Sequence, residues 1–152
     1  MIIEYHRPRT IEAALELLAR QSPRTLPLGG GTVLNRPSPE PVAAVDLQGL
    51  SLDGVQVSGK SLVLGAAVTL ERLAKQPGLQ PALRRAIGLE LNYNLRQAAT
   101  LAGTLVSADG RSGLAAALLA LDAELELRAQ AHLRERRGAE LRDQQVGHRV
   151  GG

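Results

Sequence analysis

The stretch Leu26–Arg36, LPLGGGTVLNR, sets three consecutive glycines directly behind a short apolar run. Each glycine costs conformational entropy on folding. Three together inside an ordered segment therefore meet some requirement of the backbone. A glycine-rich turn after a strand lets main-chain N–H groups converge on a phosphate. The same turn also serves without any ligand, as a tight left-handed link between elements. The residues C-terminal to the glycines exclude two familiar phosphate architectures. A P-loop requires Gly-Lys and then Ser or Thr, and here GGGT leads into Val-Leu-Asn. A dinucleotide-binding βαβ unit requires a long apolar helix after its glycines. Pro37, Pro39 and Pro41 forbid one.

Strand and helix signals alternate along most of the chain. Thr10 is a helix cap, with Ile11, Ala14, Leu15 and Leu18 spaced as one apolar stripe of a helix running to about Arg20. Thr25–Leu28 and Val42–Asp46 read as strands, the second fully buried. Val55–Val57 and Ser61–Leu64 flank Ser-Gly-Lys and read as a hairpin. Thr69 caps a short helix, and Pro81 opens another in the first-turn position that proline favours. Asn92–Val106 reads as an extended, polar start leading to a second glycine-containing turn at Ala102–Thr104. Ser112 or Gly113 opens an apolar helix, and Glu124–Leu127 alternates like a strand. This interleaving predicts an α+β or α/β fold.

Composition limits the chemistry. There is no Phe, Trp or Cys in the 152 residues, and Tyr5 and Tyr93 are the two aromatics. The core is therefore aliphatic, and stacking platforms for single-stranded nucleic acid are scarce. Without cysteine the chain forms no disulfide, thiolate metal site or cysteine nucleophile, so any iron–sulfur cluster belongs to another polypeptide or domain. His6, His132 and His148 lack metal-ligand spacing. No apolar run approaches the roughly 20 residues that span a bilayer. The N-terminus lacks the pattern of a signal peptide, which points to a cytoplasmic protein. The net charge of +3 arises entirely after Leu127, where six arginines face Glu135, Glu140 and Asp143. Such a tail reads as a solvated terminus, with nucleic-acid binding a distant alternative.

The second glycine turn, TLAGT at Thr100–Thr104, again combines glycine with hydroxyls, about 70 residues after the first. The two turns are spaced to clamp one diphosphate from two sides, with Arg96 as a source of charge. No nucleophile or acid–base pair stands out. Arg84–Arg85 reads as a solvated helix face, His6 as a surface histidine, Tyr93 as a partly buried structural residue, and Asp46 as a turn or cap.

Taken together, PLGGGTVLNRP, GAAVTLERLA, YNLRQAATLAGTLVSADGRS and LAAALLALDAELEL resemble the FAD-binding domain of the molybdenum hydroxylase family. Xanthine dehydrogenase and aerobic carbon monoxide dehydrogenase belong to it. The blocks match in order and spacing from the N-terminus to about Leu127. The resemblance implies an α+β, two-lobed FAD domain: a small α/β lobe over residues 1–52, and a second lobe over 53–127 with a mostly antiparallel sheet and helices. A basic tail over 128–152 completes the chain. FAD is the implied cofactor. Gly29, Gly30, Gly31, Thr32 and Val33 match the first diphosphate loop, and Thr100, Leu101, Ala102, Gly103 and Thr104 the second. Asp109 falls near the approach to the ribose. Gly113-Leu114 stands where relatives carry Asp-Leu.

The implied role is that of a flavin subunit of an oxidoreductase. It takes electrons from an iron–sulfur subunit, itself served by a molybdopterin-binding subunit, and passes them to NAD, oxygen or a quinone. Relatives continue with further strands after the ELEL segment, whereas this chain turns Arg-rich. One expectation is that the tail is out of frame or degenerate, on a truncated and non-catalytic relative that serves as an interaction module or is inactive. The other is a short subunit whose tail docks on a partner.

Overall fold

The computed structural model describes residues 1–33, 40–59 and 61–129. Strand β1 (Ile2–His6) leads into helix α1 (Ile11–Leu18), whose first turn is capped by the Thr10 hydroxyl accepting from the Ala13 N–H at 3.2 Å. Strand β2 (Arg24–Leu28) comes next, then β3 (Val42–Asp46). The three form a parallel sheet in the order β1-β3-β2. The central strand, VAAVD, is buried at every position, as expected of a strand flanked on both edges and covered on its faces. Alanines at 43 and 44 let the cover approach closely, and α1 packs over β2 and β3 through Ala14.

Asp46 ends β3 buried. Its carboxylate accepts from the Tyr5 hydroxyl at 2.5 Å and from the Gln48 N–H at 2.9 Å, capping a 3-10 turn at Leu47–Leu50. It is thus the cap that the sequence suggested. His6 is half-buried rather than at the surface. It lies 2.9 Å from Glu4, which also accepts from Arg20 at 3.0 Å.

The remaining elements among the described residues are one antiparallel hairpin and five short helices. The hairpin pairs β4 (Val55–Ser58) with β5 (Ser61–Leu64). The helices are α2 (Leu70–Ala74), α3 (Pro81–Glu90), α4 (Tyr93–Ala98), α5 (Leu101–Ser107) and α6 (Gly113–Ala120). Short elements suit a core without large aromatics. Its fully buried centre is Val68, Leu70, Leu73, Ile87 and Leu114, closed by Leu79, Leu83, Ala99 and Leu101. With a parallel sheet, an antiparallel hairpin and helices, the fold is α+β.

Two local expectations are corrected. Of Asn94–Ala99, Asn94–Ala98 is not extended but lies in helix α4, which Asn92 caps by accepting from the Leu95 N–H. Glu124–Leu127 forms no strand, and among the described residues it has no ladder partner. Alternation supplies a two-faced segment, but a strand exists only when a neighbour accepts its hydrogen bonds. Leu125 and Leu127 are exposed. Residues 130–152, with most of the basic tail, lie outside the described residues.

The packing gives a direct contrast. Leu73→Ala opens a cavity in the fully buried cluster and is expected to cost ~2–5 kcal/mol in a urea titration. Leu119→Ala, at a side chain 79% exposed, is expected to change stability by less than ~0.5 kcal/mol. Equal losses would mean that the cluster around Leu73 is not the core.

Candidate flavin site

The glycine triplet begins where β2 ends, and two of its members are there because the segment Ala98–Thr100 is close, through its backbone at Gly30 and through the Thr100 side chain at Gly29. A Cβ on Gly30 would land on the Ala98 carbonyl. A Cβ on Gly29 would stand 2.7 Å from Thr100 Oγ1. Gly31 has a different reason, a φ of +71° in the left-handed region that side chains rarely adopt. The triplet therefore lies against the link between α4 and α5.

That link is fixed from its other side. The Leu70 N–H donates to the Ala99 carbonyl at 2.9 Å, Leu101 N–H to Val68 at 2.8 Å, and Ala102 N–H to Ala66 at 3.0 Å. Thr69 and Thr100 form an antiparallel bridge. The second glycine block is consequently not a loop. Thr100 caps α5, its hydroxyl accepting from the Gly103 N–H at 3.2 Å, and the Thr104 N–H donates to the Thr100 carbonyl at 2.9 Å. All four N–H groups from Leu101 to Thr104 are thus committed inside the protein. The T-x-x-G spacing that reads as a turn is a cap leading into a first helical turn.

Arg96 is committed as well. Its guanidinium donates to Glu71 at 3.1 Å, to the Gly88 carbonyl at 3.2 Å and to the Leu91 carbonyl at 3.0 Å, and it sits 5.9 Å from the centre of the Tyr93 ring. It fastens α2, α3 and α4 together rather than supplying charge to a ligand. Tyr93 is exposed, not partly buried. Burial pushes the Glu71 carboxyl up, but hydrogen bonds from Arg96 and Lys75 outweigh it and hold the carboxyl below its usual range.

An open cavity of about 580 Å³ lies beside the first loop. Thr32 and Val33 line it from that loop, and Thr104, Ser107 and Ala108 from α5. Asp109, Arg111, Ser112 and Gly113 line it before and at the start of α6, and Leu89–Leu91 at the end of α3. Of the residues singled out in the sequence, Thr32, Val33, Thr104, Asp109 and Gly113 therefore line one cavity. Gly29, Gly30 and Gly31, with Thr100, Leu101, Ala102 and Gly103, stand behind it as the loop and its support. Asp109 is paired at 2.7 Å with Arg111, whose guanidinium lowers its pKa.

Sequence reasoning missed Glu90. Its carboxylate accepts from the Ser112 hydroxyl at 2.8 Å and from the Leu114 N–H at 2.9 Å. One signal was available. A carboxylate in the last turn of a helix opposes the helix dipole, so Glu90 at the end of α3 has to be compensated elsewhere.

The residues present fit a diphosphate unequally. Among the described residues, the N–H groups of Gly30, Gly31, Thr32 and Val33 have no hydrogen-bond partner. They are the donors available for an anion, whereas those of Leu101–Thr104 are already bonded. Residues 1–143 match the model of the FAD binding domain in molybdopterin dehydrogenase. The chain belongs to this family of FAD-binding domains.

Its family cofactor is FAD. The match runs to residue 143, past the Leu127 boundary at which the resemblance in the sequence stops. Over 127 residues the domain is 35% identical to YgfM, an uncharacterised protein of Escherichia coli, covering 82% of this chain and 49% of that one. It is 28% identical over 132 residues to the carbon monoxide dehydrogenase medium chain of Afipia carboxidovorans, covering 82% of this chain and 46% of that one. The chain spans about half the length of these relatives.

Solved structures agree. Carbon monoxide dehydrogenase of Hydrogenophaga pseudoflava superposes with a TM-score of 0.60 at 26% identity, over 72% of this chain and 41% of that one. Quinoline 2-oxidoreductase of Pseudomonas putida 86 gives 0.60 at 27%, over 70% and 40%. These relatives are oxidoreductases. Among the described residues, no helix is long and apolar enough to cross a membrane.

The Glu71–Arg96 pair predicts an acid dependence. A carboxyl whose folded pKa lies below its ordinary value of 4.5 contributes stability that is present above that value. The contribution is lost as pH falls through the folded pKa. Unfolding measured from pH 7 to pH 3 is expected to show this loss, and to show less of it in Arg96→Met. An identical pH profile in the variant would remove Arg96 as the cause.

Proposed function

We propose that this chain holds FAD by its diphosphate at Gly30–Val33, with the ligand running along the cavity wall formed by Thr32, Val33, Thr104 and Asp109. The observation that supports this most is the uncommitted N–H run of the first loop, held open beside the cavity by backbone packing on Ala98–Thr100. In this reading Thr100–Gly103 support the loop, and their own N–H groups do not contact the phosphates. Residues 1–52 and 53–127 act as the two lobes.

FAD supplies the redox chemistry when bound; the protein supplies binding and orientation. This chain contributes the donors of Gly30–Val33, an aliphatic wall from Val33, Leu89 and Leu95, and polar groups at Asp109 and Ser112. The assembly proposed is an oxidoreductase of the molybdenum hydroxylase type. An iron–sulfur partner delivers electrons, a molybdopterin-binding partner acts on the substrate, and NAD, oxygen or a quinone accepts. The name of the Afipia relative, a medium chain, supports membership of a multi-chain enzyme.

Titration of the purified chain with FAD, followed by flavin fluorescence and calorimetry, tests the proposal. Saturable binding is expected. Gly30→Val is expected to weaken it at least tenfold, about 1.4 kcal/mol, because the side chain has to displace the Ala98 carbonyl. Gly54→Ala, where a Cβ meets nothing within 4 Å, is expected to bind normally. Absence of binding at high micromolar FAD would overturn the reading in favour of a non-catalytic interaction module.

A further inference from the structure

Glu90 puts a carboxylate where a ligand phosphate would otherwise find donors. It stands in the wall of the cavity, at the end of α3, and reaches across to the N-terminus of α6. Each of its oxygens is used. Oε1 accepts from Ser112 Oγ at 2.8 Å and Oε2 from the Leu114 N–H at 2.9 Å. Ser112 Oγ in turn accepts from the Ala115 N–H at 3.1 Å, and the Ala116 N–H donates to the Ser112 carbonyl at 3.2 Å. The first turn of α6 thus has three successive N–H groups, at Leu114, Ala115 and Ala116, already satisfied. One of them is satisfied by a carboxylate. A helix N-terminus attracts anions through its free N–H groups and its dipole. Here the protein's own anion has taken that place.

The donors around the cavity are therefore sorted. At the α5 side, Leu101–Thr104 are bonded to the backbone and to Thr100. At the α6 side the N–H groups of Leu114, Ala115 and Ala116 are bonded to Glu90 and Ser112, which leaves the Gly113 N–H uncommitted among the described residues. At the first loop, Gly30–Val33 are uncommitted among the described residues. Charge is sorted in the same sense. Glu90 carries no arginine or lysine partner among its described contacts, and Arg111, the one basic side chain lining the cavity among the described residues, is paired with Asp109.

We propose that Glu90 is a specificity-determining and positioning residue. Its carboxylate closes the α6 end of the cavity to phosphate, so that a dinucleotide enters with its diphosphate at Gly30–Thr32 and a hydroxyl-bearing, uncharged part toward Ser112. This rests on the proposed flavin site and adds the direction of the ligand within it. The favoured partner at the Glu90 end is a sugar hydroxyl, which donates to a carboxylate where a phosphate is repelled.

The test uses the whole chain and inorganic pyrophosphate, a probe with charge but no sugar. Glu90→Gln removes the charge and keeps an oxygen able to accept from Ser112 or Leu114. At low ionic strength the variant is expected to bind pyrophosphate about threefold tighter or more, with the gain shrinking as salt screens it. Amide resonances of Gly30–Thr32 are expected to shift on addition in both proteins. Those of Gly113–Ala115 are expected to shift only in the variant. An unchanged melting temperature confirms that the fold survives, and Glu90→Asp checks the effect of keeping the charge on a shorter side chain.

Unchanged or weaker pyrophosphate binding in Glu90→Gln, or shifts at Gly113–Ala115 in the unaltered chain, would overturn the role of Glu90. The proposed flavin site would stand if FAD still bound and Gly30→Val still weakened it at least tenfold. Failure of FAD and pyrophosphate to shift Gly30–Thr32 in either protein would overturn both.

Discussion

The segment Ala98–Ala102 is gripped from two sides, and the candidate site depends on that grip. On one side, Ala66–Leu70 exchange backbone hydrogen bonds with Ala99, Leu101 and Ala102. On the other, Gly30 lies against the Ala98 backbone and Gly29 against the Thr100 side chain, so close that neither has room for a Cβ. The first contact belongs to the helical layer and the second to the end of the parallel sheet. A short, nearly buried link therefore registers one layer on the other. The first loop is held out beside the cavity as a consequence.

Around that cavity the backbone donors fall into two kinds. Those of Leu101–Thr104 in α5 and of Leu114–Ala116 in α6 are consumed by caps, by neighbouring carbonyls and by Glu90. Those of the first loop are left over. A buried donor left unmade is destabilising, so a half-exposed loop is where uncommitted donors are tolerated. The same need for satisfaction explains Arg96. A guanidinium with carbonyls at Gly88 and Leu91 and a carboxylate at Glu71 serves as an internal fastener.

Much of the fold was legible from local patterns. Thr10, Thr69 and Ser112 were readable as caps, each hydroxyl accepting from the N–H three residues on; Asn92 and Thr100 cap in the same way but read as part of an extended segment and of a turn. Proline opens α3, and the uniformly apolar run of VAAVD is the buried central strand. The first glycine loop was legible as a backbone requirement. The extended reading of Asn94–Ala99 failed over Asn94–Ala98 because a six-residue helix carries too little periodicity to announce itself. The ELEL strand failed because strand formation needs a partner that alternation does not provide. Glu90 was invisible because its two partners, Ser112 and Leu114, lie 22 and 24 residues away.

The sequence by itself determined the aliphatic core, the absence of thiol chemistry, the positions of most helix starts and the family, because these depend on residue type and local spacing. Only the tertiary structure decided which glycine donors remain available, that the second glycine block is a helix start with its N–H groups already bonded, that Arg96 is internal, and that Glu90 faces the cavity. Hydrogen-bond capacity is a property of each residue. Whether that capacity is left over for a ligand depends on which distant groups the fold brings against it.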